Sequence, residues 1–261
     1  MFKGKYLLFI ITSVIVVFTA AAYSQPKRKK AYVDPTAMRI LKAMSDHLAG
    51  LKQFSFNVVN MREDLTRTGH RVDFEVSAKV IVDRPNRIKL VRQGHLIDQE
   101  IYYDGKSLVI YHPGKKIYST VDAPATIDEI LKFAREKLGI GYPAADLMYS
   151  EAYPLLTKNV RSATVIGKEM IDGHRCDHLL FTLPGVDFQI WIPDRGDPLP
   201  FKYIVTDTGT RQLLSIVAKF DSWIMSPHVE DDDFIFTPPK DARAIAFRTV
   251  DGKTIPPRSK Q

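Results

Sequence analysis

The segment RVDFEVSAKVIV, residues 71–82, alternates polar and apolar side chains from Arg71 to Val80 and ends in the apolar Ile81-Val82. Val72, Phe74, Val76, Ala78, Val80 and Val82 fall on one side of an extended chain, and Arg71, Asp73, Glu75, Ser77 and Lys79 on the other. A period of two excludes a helix and predicts a long strand with one buried and one wetted face. QFSFNVVNM before it and NRIKLVRQ after it carry the same pattern. EIYYDGKSLVIYHPGKKIYSTV divides into three short strands at the turn dipeptides Asp104-Gly105 and Pro113-Gly114. Six strands in series with no helix between them predict an antiparallel meander.

The period is 3.6 on either side of that meander. Asp34-Pro35 supplies an N-cap and a first-turn proline, and Met38, Leu41, Met44, Leu48 and Leu51 follow on one face, with Gly50 as the expected C-cap. Thr126 and Glu129 have capping-box spacing ahead of the stripe Ile127, Ile130, Leu131, Ala134 and Leu138, which Gly139 ends. A shorter helical stretch is expected over Ala144 to Tyr149, resuming beyond Pro154. RSATVIGKEM, HRCDHLLFTL, DFQIWIP, FKYIVTDT and RQLLSIVAKFDSWI then read as strands. The expected fold is α+β: a large curled antiparallel sheet, an open half-barrel of about eleven strands, covered on one face by about three helices.

Ahead of this body, Lys3 and Lys5, the apolar run Tyr6 to Phe18 and the small-residue site Ala22-Tyr23-Ser24 have the three parts of a secretory signal. The expected organisation is a signal peptide over 1–24, a basic linker over 25–33, a single domain over 34–247 and a flexible tail over 248–261. An uncleaved N-terminal anchor is the alternative. The formal net charge of +7 belongs to the ends: residues 31–252 hold 28 Lys and Arg against 30 Asp and Glu. No basic stripe interleaved with aromatics remains, which argues against a nucleic-acid partner. Lys27, Arg28, Lys29 and Lys30 could instead meet anionic headgroups at a membrane surface. With a single cysteine the exported chain has no internal disulfide and must hold itself by its core.

That cysteine lies in His174-x-Cys176-x-His178. On a strand these three side chains line up over about 13 Å and cannot converge on one ion. No oxyanion element accompanies the thiol, so the reading is a buried strand cysteine with partly exposed histidines, and no metal. Asp231-Asp232-Asp233 lacks the alternating oxygens and glycine of a calcium loop and reads as an acidic turn before an edge strand, Phe234-Ile235-Phe236. No phosphate loop, G-x-S-x-G or H-E-x-x-H occurs, so neither a cofactor nor an enzymatic role is expected.

D-G-x-x-L-x-x-Y-x-P near 104–113, DGHRCDHLLF, FQIWIP followed by DPLPFKYI, and FIFTPPKDARAI resemble predicted periplasmic proteins of a domain-of-unknown-function family. That family is similar to the LolA/LolB lipoprotein-carrier superfamily, over roughly residues 34–247. The resemblance implies a periplasmic, non-enzymatic protein whose open barrel holds an acyl chain, of a lipid or a lipidated protein, under a helical lid. The alternative is an interaction module sensing envelope stress, with the same sheet and a filled core. The residues expected to line the cavity are Phe54, Phe56, Phe74, Val76, Leu90, Tyr103, Ile130, Phe133, Leu147, Phe181 and Trp191. Met38, Leu41, Met44, Leu48, Ile127 and Leu131 are the expected lid, with Met38, Met44 and Met148 as adaptable contacts.

Overall fold

The structure, a computed structural model, describes residues 32–95, 97–142 and 145–256. The expected signal segment, its cleavage site and Lys27, Arg28, Lys29 and Lys30 lie outside the described residues. Helix α1, Pro35–Gly50, starts as its sequence dictates, with the Asp34 carboxylate accepting from the Thr36 amide at 2.8 Å. The first meander comprises β1 (Gln53–Leu65), β2 (Arg71–Asp83), β3 (Arg87–Gly94), β4 (Ile97–Tyr103), β5 (Ser107–His112) and β6 (Ile117–Asp122). Helix α2, Ile127–Leu138, a 3-10 turn at Ala145–Met148 and helix α3, Ala152–Thr157, follow. The second meander comprises β7 (Ser162–Ile171), β8 (His174–Leu183), β9 (Val186–Pro193), β10 (Lys202–Asp207) and β11 (Ser215–Ile224).

The two meanders form one sheet because β11 returns to lie antiparallel beside β1, pairing Val58 with Phe220 and Asn60 with Ala218. A two-residue β12, Arg243–Ala244, adds a parallel twelfth strand to β6. The order β12-β6-β5-β4-β3-β2-β1-β11-β10-β9-β8-β7 leaves the sheet open. Both borders are covered: β12 lies along β6, and Val33 bridges to Ala163 on β7. Short cover of this kind blunts the unpaired edge groups that would otherwise recruit another chain.

One face of the sheet carries the core. Phe54, Phe56 and Val58 of β1, Val80 and Val82 of β2, Leu179 and Phe181 of β8, and Phe188, Ile190 and Ile192 of β9 form a single cluster with Leu41, Met44 and Leu48 of α1 and Ile127, Ile130 and Leu131 of α2. The Thr126 hydroxyl caps α2 by accepting from the Glu129 amide, and Gly139 closes it in the left-handed conformation. The buried Ser45 hydroxyl accepts from the Tyr153 amide at 2.8 Å, fixing α3 to α1. Gly50 is the last residue of α1, and an extended Leu51 caps the helix in place of a left-handed glycine. Pro154 lies inside α3 near its start, where a missing amide costs nothing.

Two expectations about the C-terminal region are corrected. Phe234-Ile235-Phe236 is no edge strand: Asp231–Phe234 is a 3-10 turn, and the segment straps the outer face of the first meander. Asp231 pairs with Arg87, Phe234 lies beneath the Arg87 guanidinium at 4.9 Å, and Phe236 sits among Tyr102, Tyr111 and Tyr118 at 5.0–5.4 Å. These aromatics pack at tilted angles on the face opposite the helices. As far as Pro256, moreover, the expected flexible tail is a hairpin in which β13 (Phe247–Arg248) pairs with β14 (Thr254–Ile255). Its Val250 amide donates to the Lys137 carbonyl at the end of α2.

Leu41 is fully buried and Met170 is 64% exposed. Leu41→Ala is expected to lower unfolding free energy by about 2–5 kcal/mol in urea titrations, and Met170→Ala by less than about 0.5 kcal/mol.

Candidate functional site

The helices do not cover the whole inner face. Towards the β1–β2 hairpin the sheet extends beyond them, and Phe74, Val76 and Ala78 are only half-buried although they alternate inward. There the face bounds a cavity of about 210 Å³. Phe56, Val58, Asn60 and Arg62 of β1, Phe74, Val76, Ala78 and Val80 of β2, Leu90 and Arg92 of β3, Ile97 of β4 and Ile216 of β11 form its floor. Gly141 and Tyr142, just after α2, and Met148 of the 3-10 turn form its roof. A smaller void of about 40 Å³ lies deeper, under Ile130, Leu131 and Ala134 of α2 and against Ile88, Ile101, Tyr103 and Leu108. Val80, Leu90, Tyr142 and Met148 border both spaces, so one side-chain layer separates them.

The residues expected to line one cavity are divided by the fold. Phe56, Phe74, Val76 and Leu90 line the larger space, and Tyr103 and Ile130 the smaller, where they are joined by Leu131, expected in the lid. Phe54 and Leu147 lie elsewhere in the packed core, and Phe133 is a partly buried neighbour of it. Phe181 belongs to the core of the second meander, stacked on Phe188 at 4.7 Å. Trp191 is on the other face of the sheet, stacked at 4.0 Å on His178 with its Nε1 donating to Glu169. In FQIWIP, Phe188, Ile190 and Ile192 take the inner register, which puts Trp191 outside.

The expected lid is likewise redistributed. Leu41, Met44 and Leu48 are fixed in the core, Met38 packs partly buried against it, and none of the four borders the larger cavity. Ile127 is buried at the start of α2. The groups that do stand over the opening are Tyr142 and Met148.

Four polar residues line the cavity that apolar pattern-reading passed over: Asn60, Arg62, Arg92 and Tyr142. Three of them were detectable as polar residues standing in the inward register, after Phe56 and Val58 on β1 and after Ile88 and Leu90 on β3. Arg62 is largely exposed and paired with Asp64 at 2.6 Å. Arg92 turns Nε and Nη2 to the Gln99 carboxamide oxygen and stacks its guanidinium at 4.7 Å over the Tyr142 ring. The Tyr142 hydroxyl and the Asn60 Oδ1 atom are buried without a hydrogen-bond partner. Burial pushes the Tyr142 phenol up to about 12, opposed by Arg92. The lining includes no Asp, Glu, His, Cys, Ser, Thr or Lys.

His178 is more buried than expected: Nδ1 meets Glu169 and Nε2 meets Gln189, each at 2.8 Å. Its hydrogen bonds are thereby used within the sheet surface. Cys176 is fully buried and His174 exposed, and among the described residues no group of three or more His, Cys, Asp or Glu side chains could hold a metal ion.

A model of the family described as "Predicted periplasmic protein (DUF2092)" matches residues 37–248. No curated protein matches the sequence. Similar solved structures include an uncharacterised conserved protein from Thermus thermophilus, at 12% identity over 80% of this chain and 98% of that one, TM-score 0.48. The lipoprotein LppX of Mycobacterium tuberculosis matches at 16% identity over 76% and 100%, TM-score 0.48. The LolA superfamily protein NE2245 of Nitrosomonas europaea matches at 13% identity over 77% and 97%, TM-score 0.39.

Burial, reinforced by Asp194, Asp177 and Asp172, pushes the Cys176 thiol up to about 11. Only the thiolate alkylates, so iodoacetamide at pH 8 is expected to leave the native protein unlabelled and to label it fully in denaturant, by intact mass. Rapid native labelling would show that β8 opens.

Proposed function

Since the chain belongs to this family of predicted periplasmic proteins, we propose that it is a non-enzymatic binding protein of the cell envelope. Its ligand is the acyl chain of a lipid or of a lipidated protein, held between the sheet and the roof of Tyr142 and Met148. The observation that carries the reading is the apolar cavity of about 210 Å³, open towards the hairpin end and continued by the smaller void beneath α2.

Each methylene kept from water contributes about 0.8 kcal/mol, so an acyl chain needs an apolar container to leave a membrane. Val58, Val80, Leu90 and Met148 offer that container, and Met148 has the unbranched thioether that repacks most readily around an irregular guest. A chain entering beside Phe74 would reach the α2 void once Met148 rotates aside. The cavity supports this reading over the interaction module, which needs a filled interior. It supports binding over hydrolysis because its lining supplies neither a nucleophile with a base nor a pair of carboxylates. On the same reading the N-terminal segment directs export, and Lys27, Arg28, Lys29 and Lys30 meet the membrane surface.

Native mass spectrometry with solvent extraction, on protein purified from its own periplasm or membrane, is expected to find a stoichiometric adduct of lipid mass. Phe74→Asp puts a carboxylate into the half-buried floor and is expected to abolish the adduct while leaving the circular dichroism spectrum unchanged. An adduct-free wild type that also fails to take up a lipid in vitro would reject the proposal.

A further inference from the structure

The cavity lining is apolar except for a few residues, and there the polar groups are incompletely satisfied. No ion pair among the described residues includes Arg92. Its hydrogen bonds to Gln99 employ Nε and Nη2, and the remaining guanidinium donors have no protein acceptor among the described residues. The phenol it stacks on keeps its hydroxyl buried and unpartnered, and Asn60, another lining residue, has its carboxamide oxygen in the same condition. A buried polar group without a partner is costly, and native proteins leave few of them. Two in one cavity, beside a cation without a carboxylate partner, describe a polar subsite from which the partner is missing.

Resting on the acyl-chain reading above, we infer that the ligand is an anionic single-chain amphiphile whose head, a carboxylate or a phosphate, is held by Arg92 and Tyr142. The planar guanidinium offers parallel N–H groups to two oxygens of either head. The Tyr142 hydroxyl, neutral at physiological pH, donates to the same head. Asn60 takes a hydroxyl or a bound water of the head at its carboxamide. The tail then runs over Val58, Val80 and Leu90 towards Met148. Arg62 is neutralised by Asp64 and contributes little to this preference. The arrangement discriminates by charge: an uncharged alcohol of equal tail length leaves Arg92 with no anion and gains only the apolar contacts.

The test displaces the uncharged fluorophore N-phenyl-1-naphthylamine with dodecanoate, dodecyl phosphate and dodecanol at pH 7.5. At least one anion is expected to bind about tenfold or more tighter than dodecanol, the scale of one charge-assisted hydrogen-bond pair. Which anion is tighter identifies the head as carboxylate or phosphate. Arg92→Met is expected to reduce that anion-over-alcohol preference to within about threefold; Arg92→Lys, which keeps the charge, retains most of it. Tyr142→Phe removes a hydroxyl that has no partner in the free protein, so thermal stability should hold or rise while anion affinity falls several-fold. Dodecanol binding as tightly as both anions, or an anion preference unaltered in Arg92→Met, would overturn the head-group assignment and leave the acyl-chain reading standing. No displacement by any of the three ligands would overturn both.

Discussion

A single open sheet with one apolar face has to find cover, and most of this structure follows from how that cover is provided. The chain makes two meanders and joins them edge to edge at β1 and β11, so the apolar sides of both become one continuous surface. Closing into a barrel would hide that surface, but the order ends at β12 and β7, which do not pair. Helices must do it instead. α1 packs near β7 and against α3, and α2 lies over β3 to β5, where Ile130 and Leu131 meet Ile88, Ile101 and Leu108. Those helices are too short to reach the β1–β2 hairpin, whose strands are thirteen residues each. The cavity is the part of the inner face left without a helix.

The outer face is managed differently. On the first meander the acidic turn at Asp231–Phe234 is pinned by Arg87 and Lys89, and Phe236 fills the gap between three tyrosines. On the second, His178 and Trp191 cover each other, with Glu169 and Gln189 satisfying the imidazole. The outer aromatics therefore stabilise the sheet from behind and leave the inner face to the helices.

The roof over the cavity differs in kind from the helices beside it. α1 is anchored by four almost fully buried residues, Ala37, Leu41, Met44 and Leu48, and by the hydrogen bond from Tyr153 to Ser45. Tyr142 and Met148 belong to connecting backbone after α2, held by ring stacking on Arg92 and by packing. Leu147 and Met148 are themselves buried, and the turn is tied to α2 where the Ser150 amide and hydroxyl donate to Asp128.

Local pattern was enough for the elements. Alternation from Arg71 to Val80 requires a strand whatever surrounds it, and Asp34-Pro35 and Thr126 with Gly139 place helix ends by backbone hydrogen bonding alone. Antiparallel order within each meander followed from the short turns. Residue type alone did not place Trp191: it reads as core, but it shares its register with Gln189, opposite Phe188, Ile190 and Ile192, and packing against β8 and β10 sends Ile190 in and Trp191 out. Nor could the sequence show that β11 pairs with β1, since that contact spans most of the chain and is selected by the shared inner face. The cavity was decided last and only in three dimensions, because it is a difference between the length of the sheet and the reach of its helices. Asn60 and Arg92 are ordinary polar residues in the sequence; they line the cavity because the register turns them inward.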